Sequence, residues 1–302
     1  MTAWEPQFWN CPDGARLSYR VMPSPPSPPS ESPPLPPSLP SPPSPPSSPS
    51  GSIILLHGWG DHAGRFEEAA RRLSETGLTV YALDQRGHGQ SPGPRGHVDR
   101  FAQYLSDIAA LRKMVSNKAP GPQFLLGHSF GAFVLLRYLE TMPAGVAGAI
   151  AVTPFVDFAQ APPRWKVVMA RLIVDLLPRV RLSTGLDYDH LAHDREQVEA
   201  FRADPLAHQR MTPRAYVETM GALAALREEK DRIAVPLLVL LAGDDRLVST
   251  RAAREFANAL RGDVTVREYA GMYHNVFYEP ERNHVYADIA EWVARRIGRR
   301  ET

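Results

Sequence analysis

The pentapeptide Gly127-His128-Ser129-Phe130-Gly131 ends one apolar run, "QFLLG", and opens another, "FGAFVLL". A serine hydroxyl between two glycines at such a junction suits nucleophilic attack. The glycines allow a turn so tight that a side chain at either position would meet a neighbouring strand or helix. The hydroxyl is then lifted to a helix N-terminus, which favours negative charge. The same residues also suit a helix cap in a glycine turn, and the pentapeptide alone leaves both readings open. An activated serine needs a base to take its proton and a carboxylate to orient that base. When the nucleophile sits on such a turn, its partners follow in the order Ser, acid, His, each on a loop after a late strand. Asp244 and Asp245 lie in "LLVLLAGDDRLVST" and His274 in "REYAGMYHNVFYE", both directly after apolar strand-like runs. All three positions fall where that order requires them, which favours the nucleophile over the cap.

Those residues need a sheet to hold them, and from residue 52 onward strands and helices alternate. "SIILLHG", "LTVYALD", "QFLLG" and "VAGAIAVTP" are strands buried on both faces. "RFEEAARRLSETG", "FAQYLSDIAALRKMVS" and "FGAFVLLRYLE" have helical spacing. Ahead of them "ARLSYRV" reads as a further strand. The alternation predicts an α/β fold with a mostly parallel central sheet and helices on both faces. The rhythm stops over residues 155–232, where no strand is evident and helices "RWKVVMARLIVDLL", "REQVEAFRA" and "PRAYVETMGALAALREEKDRI" follow one another. It returns with "PLLVLLAG", "TRAAREFANAL", "VTVREYAG" and "HVYADIAEWVARRI". The expected organisation is a core of residues 1–153 and 233–302 with a helical cap, 154–232, over the C-terminal ends of the strands, where ligands bind in open α/β sheets.

Composition narrows the function. With 302 residues, 43% of them hydrophobic, the chain is long enough for a large single core. Its 34 basic and 33 acidic residues nearly cancel, which gives no electrostatic footprint for nucleic acid. One cysteine, Cys11, excludes an intrachain disulfide and most zinc sites. No cluster has metal-ligand spacing, and no cofactor is called for. Neither a signal peptide nor a membrane span is evident, so a cytoplasmic protein, with room for a peripheral membrane role, is expected. Residues 23–50 contain 15 prolines and 10 serines and are expected to form an extended, disordered loop between neighbouring strands. A docking segment for a proline-recognising partner is the alternative reading. The sequence does not set the oligomeric state.

The strings "LLHGWGDHAGRF", "LDQRGHGQSPGPRGHVDRFAQYL", "FLLGHSFGA", "AGDDRLV" and "AGMYHNVFYE" together resemble the monoacylglycerol lipase and lysophospholipase branch of the α/β-hydrolases. The likeness spans nearly all of residues 52–295 and is weakest in the cap. It implies an α/β-hydrolase fold with Ser129 as nucleophile, His274 as base and Asp245, ahead of "RLV", as the orienting acid. It also implies an oxyanion hole made by the backbone N–H groups of Trp59 and Phe130. Trp59 is a bulky residue for that turn and is expected to narrow the acyl entrance.

The remaining polar residues read as structural. His57 and Gly58 shape the turn, and His128 packs beside the nucleophile. His88 and His97 brace a long loop, while His62 and Arg65 brace the rim. Asp84 ends a strand but precedes the serine, the wrong order for the triad acid. Asp244 is expected to cap its loop. The implied substrate is a small lipid ester with one acyl chain, a monoacylglycerol foremost. Lysophospholipase or general carboxylesterase activity is the near alternative, and a silent ligand-binding protein the distant one. The cap segment "RWKVVMARLIVDLL" is apolar on a wide arc edged by Arg164, Lys166 and Arg171, with Val168 and Leu172 on it. That arc is expected to line an acyl channel, to pack on the core or to touch a membrane surface transiently.

Overall fold

The computed structural model describes residues 4–25 and 51–297. The proline-serine run lies almost entirely in 26–50, outside the described residues. Among the described residues there are ten strands: β1 (Gln7–Asn10), β2 (Arg16–Met22), β3 (Ser52–Leu56), β4 (Thr79–Asp84), β5 (Gln123–His128), β6 (Val146–Val152), β7 (Leu182–Ser183), β8 (Arg210–Met211), β9 (Leu237–Ala242) and β10 (Val264–Tyr269). Eight of them form one sheet in the order β1-β2-β4-β3-β5-β6-β9-β10. The run from β4 to β10 is parallel, and β2 and β1 continue it antiparallel. This is the mostly parallel sheet of an α/β-hydrolase. The β1–β2 hairpin was not legible, because "QFWN" exposes most of its residues and has no buried face to set a pattern.

Every residue of β3, β4, β5 and β9 is buried. Their side chains feed two separate cores by simple alternation along the strand. Ile54, Leu56 and Leu125 point into one, Ile53, Leu55 and Leu126 into the other. The first core is closed by helices α2 (Ala102–Lys118), α3 (Phe130–Thr141) and α7 (Thr250–Ala259). The second is closed by α1 (Glu67–Ser74) and α8 (Arg282–Ile297). Helix α1 presents Ala69, Ala70 and Leu73 at helical spacing, and α8 does the same with Val285, Ile289 and Trp292.

Strands β6 and β9 are neighbours in the sheet, so residues 153–236 leave it and return. That stretch carries α4 (Arg164–Ile173), α5 (Arg195–Ala203) and α6 (Pro213–Glu229). Helix α5 matches its expected span, and α6 starts where expected but ends at Glu229 and passes into a single 3-10 turn, Lys230–Arg232. Asp194 and Thr212 are their N-caps and accept backbone N–H bonds. Helix α4 stops at Ile173 and continues as turns to residue 180, four residues short of the expected helix. The two-residue ribbon β7–β8, antiparallel, was also unforeseen; two residues are too few to show a period.

Asp84, at the C-terminal end of β4, ties together two loops on the edge where the candidate residues lie. One carboxylate oxygen accepts the N–H of Ala63 (2.7 Å) and the other that of Gln90 (2.9 Å), and the side chain is wholly buried. A Cβ on Gly89 would meet this carboxylate at 2.4 Å. Asp84 is therefore a loop anchor. Asp84→Ala should leave two buried N–H groups unpaired, costing roughly 1–3 kcal/mol for each. The urea midpoint should fall accordingly at constant m-value, and an unchanged midpoint would refute the anchor.

Candidate active site

Strand β5 runs straight into the serine. Ser129 has φ 54° and ψ −115°, a conformation that an L-residue holds only under constraint. Three backbone bonds supply it: Ser129 N–H to Val152 O (2.9 Å), Phe133 N–H to Ser129 O (3.1 Å) and Phe155 N–H to Ser129 O (3.2 Å). The glycines on either side have no room for a side chain. A Cβ on Gly127 would meet Gly131 O at 2.4 Å, and one on Gly131 would meet Leu56 O at 2.4 Å and His57 O at 2.5 Å. The helix α3 thus starts against β3, and the G-x-S-x-G spacing is what this close packing requires.

The structure brings Ser129, His274 and Asp245 together. His274 Nε2 lies 2.8 Å from Ser129 Oγ, and His274 Nδ1 donates to Asp245 Oδ2 at 2.7 Å. Both partners of the second bond are buried, with side chains 5% and 1% exposed. The other Asp245 oxygen accepts the N–H groups of Leu247 and Val248, each at 2.9 Å, so the carboxylate is fixed from both ends. Asp244 points outward instead. It is half exposed and pairs with Arg246 at 3.1 Å. Its expected role as a loop cap gives way to a surface ion pair, because the chain turns between the two aspartates and only Asp245 faces the sheet edge.

The N–H groups of Trp59 and Phe130 have no acceptor among the described residues. Phe130 opens α3, where the first N–H groups lack intrahelical partners and the helix dipole adds positive potential. His57 shapes the Trp59 turn as expected. Its Nδ1 donates to Gly58 O (2.7 Å), its Nε2 accepts from Gln85 N–H (3.1 Å), and burial pushes its pKa down to about 4. His128 is buried beside His274, ring centroids 5.2 Å apart, and burial holds it well below the usual histidine range. His97 reaches Thr212 Oγ1 at 2.9 Å, and His62 donates to Asp204 at 2.9 Å. Among the described residues no three His, Cys, Asp or Glu side chains are grouped to hold a metal ion.

A cavity of about 760 Å³ opens over Ser129. Its lining is largely apolar, with Phe155, Phe158, Met169, Met220, Leu247 and Val248 among it, and also carries Asp61, His128 and Asn275. Asp61 is buried, and burial raises its carboxyl to about 6. Residues 155–220 supply much of the wall, so the segment between β6 and β9 shapes the site. Within α4 the cavity is faced by Trp165, Met169 and Ala170, whereas Val168 and Leu172 turn outward, 53% and 66% exposed. The sequence placed Val168 and Leu172 on a wide apolar arc without choosing which faces a channel, and neither of them lines the cavity.

Sequence reasoning missed Glu279. It is 1% exposed and accepts the N–H of Tyr273 (2.8 Å), next to His274, as well as the N–H and ring of His193 in the segment between β6 and β9. Its only sequence signal is an acidic residue closing the apolar string "NVFYE". Tyr273 is held further between Arg246 (4.8 Å) and the His193 ring (3.8 Å).

Known proteins share this arrangement of fold and sequence. The profile of the family described as "Serine aminopeptidase, S33" matches residues 47–281. The monoacylglycerol lipase of Mycolicibacterium smegmatis is 31% identical over 250 residues, 82% of this chain and 89% of that protein. The human monoglyceride lipase is also 31% identical over 250 residues, covering 81% and 82% of the two chains. The crystal structure of the Paleococcus ferrophilus monoacylglycerol lipase superposes with a TM-score of 0.80 at 27% identity, over 93% of this chain and 99% of that one. With the parallel sheet, the glycine-flanked serine and these relatives in view, the chain belongs to the monoacylglycerol lipase branch of the α/β-hydrolases.

Proposed function

We propose that this carboxylic ester hydrolase cleaves single-chain lipid esters, monoacylglycerols foremost, through an acyl-enzyme on Ser129. The observation that carries the reading is His274 bridging Ser129 Oγ and a buried, doubly fixed Asp245 carboxylate. Ser129 Oγ attacks the ester carbonyl as His274 Nε2 takes its proton. Asp245 holds the Nδ1–H tautomer and stabilises the imidazolium. The carbonyl oxygen becomes an oxyanion in reach of the Trp59 and Phe130 N–H groups, whose fixed dipoles stabilise it without reorganisation. His274 returns the proton to the departing alcohol. It then activates a water that releases the fatty acid.

The apolar side of the cavity supports an acyl chain, each buried methylene contributing about 0.8 kcal/mol. That favours medium and long chains over acetate. Asp61 and Asn275, also in the lining, offer hydrogen-bond partners to a hydroxylated alcohol. Residues 154–232 serve in this reading as a cap over the site.

The outward face of α4 and the turns after it suggest how a lipid would be met. Val168, Leu172, Leu176 and Leu177 are 53–81% exposed, and the exposed cations Arg164, Arg171, Arg179 and Arg181 lie around them. An apolar patch rimmed by cations fits the surface of an anionic bilayer. Among the described residues no helix is long and apolar enough to cross a membrane, so the contact in this reading is peripheral.

Fluorophosphonate labelling tests the nucleophile directly. The wild type should be labelled and Ser129→Ala should be neither labelled nor active at unchanged melting temperature; residual turnover above a few per cent would move the nucleophile elsewhere. Asp245→Asn should lower kcat on the order of 10⁴-fold, and Asp244→Asn should leave it nearly unchanged. The reverse ranking would transfer the orienting role to Asp244.

The α4 patch makes a separate expectation. Leu172→Asp with Leu176→Asp should reduce sedimentation with phosphatidylglycerol vesicles and slow hydrolysis of vesicle-borne monoacylglycerol, while p-nitrophenyl acetate is cleaved as before. Equal losses on both substrates would mean that the patch supports the fold.

A further inference from the structure

The turn that carries the first oxyanion donor is Gly58-Trp59-Gly60. A Cβ on Gly58 would meet His128 Nδ1 at 3.2 Å and Ser129 Cβ at 3.4 Å. Gly60 has φ 73°, and a Cβ there would meet His208 O at 2.0 Å. Gly60 has no room for a side chain and Gly58 little, and glycines leave a backbone its greatest freedom. The donor of Trp59 must nonetheless sit where the oxyanion forms, since a misplacement of about 1 Å costs about 10²-fold in rate. Trp59 is the one residue of the Gly58-Trp59-Gly60 turn with a side chain to restrain it.

Its ring touches the parts that define the hole. It stands edge-to-face on Phe130, the residue with the other donor, at 4.9 Å and 85°. Phe130 is itself packed against Tyr104 (5.5 Å) and Phe133 (5.9 Å) of the core. On its other side the indole meets His88 at 4.9 Å and 84°, and His88 stacks on His208 at 4.8 Å. The indole N–H donates to Arg210 O at 3.1 Å, and the His208 backbone N–H donates to Gly60 O at 2.8 Å. His208 and Arg210 both belong to the segment between β6 and β9. Burial holds His88 well below the usual histidine range and lowers His208 to about 4, so this stack is neutral in neutral solution.

We infer that the Trp59 side chain is a positioning residue for the oxyanion hole, locking its own backbone N–H to the Phe130 donor and tying both to residues 208–210. The inference rests on the acyl-enzyme reading above. It gives the bulky side chain a task other than narrowing the acyl entrance.

The test uses the full chain and three variants, Trp59→Ala, Trp59→Leu and Trp59→Phe, all of which keep the backbone N–H. The substrate is p-nitrophenyl acetate, too short to depend on the acyl side of the cavity. Two inhibitors complete it: 1,1,1-trifluoropropan-2-one, whose serine adduct places an oxyanion in the hole, and 1-O-ethylglycerol, an ether with no carbonyl. Trp59→Ala and Trp59→Leu should lower kcat/KM by about 10²-fold and weaken the ketone by a comparable factor. Ether binding should move less than about twofold. Trp59→Phe restores the ring on Phe130 and loses only the bond to Arg210, so it should recover most of both losses. Ketone affinity within about twofold of wild type in Trp59→Leu would overturn the inference. So would equal weakening of ketone and ether, which would make Trp59 a plain cavity wall. A wild type that neither hydrolyses the ester nor takes a fluorophosphonate label defeats the acyl-enzyme reading and this inference with it. An active, labelled wild type with unaffected variants defeats the positioning role alone.

Discussion

Ser129 at φ 54° is a residue held where it would not rest, at a cost of order 1–3 kcal/mol. The constraint comes from the packing of α3 against β3, which leaves 2.4 Å for any atom attached at Gly131. Because the chain must turn within one residue, the hydroxyl is left at the apex of the bend and the next N–H, that of Phe130, opens the helix without an acceptor. The proposed nucleophile and the proposed anion-binding donor thus arise from one backbone conformation. The close approach also brings the Trp59 turn beside the serine, because Gly131 meets the backbone of the strand end that leads into it.

Histidines crowd this edge of the sheet, and burial sorts them. His57, His88, His128 and His208 are all pushed below the ordinary range, with burial as the largest cause. Among them a proton is unwelcome. His274 differs in its neighbours: Nδ1 faces a carboxylate that is fixed by two backbone N–H groups, and Nε2 faces the serine. In the proposed mechanism, His274 thus works with a carboxylate 2.7 Å from its Nδ1. The division of labour lies in the partners, since the residue type is the same.

Much of this was legible because strands buried on both faces leave long apolar runs, and because a triad must follow its strands in order. Asp245 was separable from Asp244 only through family likeness. Composition and spacing treat adjacent aspartates alike, and the difference is the direction of one turn. The β1–β2 hairpin was hidden for lack of a buried face, and Glu279 for lack of any periodicity around a single buried carboxylate. The side of α4 that faces the cavity was not legible for a related reason. Trp165 and Met169 share one stripe, Val168 and Leu172 the next, and both stripes are apolar. Hydrophobicity cannot choose between them when both sides of a helix have apolar work.

The two stripes of α4 also set it apart from its neighbours between β6 and β9. Helix α5 places Val198 and Phe201 in the second core, and α6 places Ala215, Leu223 and Leu226 in the first. Helix α4 contributes to neither, and among its described side chains buries only Ala170. The rest of the segment is pinned by polar ties to the loops after β3 and β4, through Asp204, His208 and Thr212. Displacing α5 or α6 would expose core side chains at about 25 cal/mol for each Å², whereas moving α4 exposes little that is not already wet. In the proposed reading, access to Ser129 is cheapest past α4, where an apolar surface outside the helix lies near an apolar wall inside it. A lipid leaving a bilayer by that route would exchange one apolar contact for another, with little of its chain exposed to water between them.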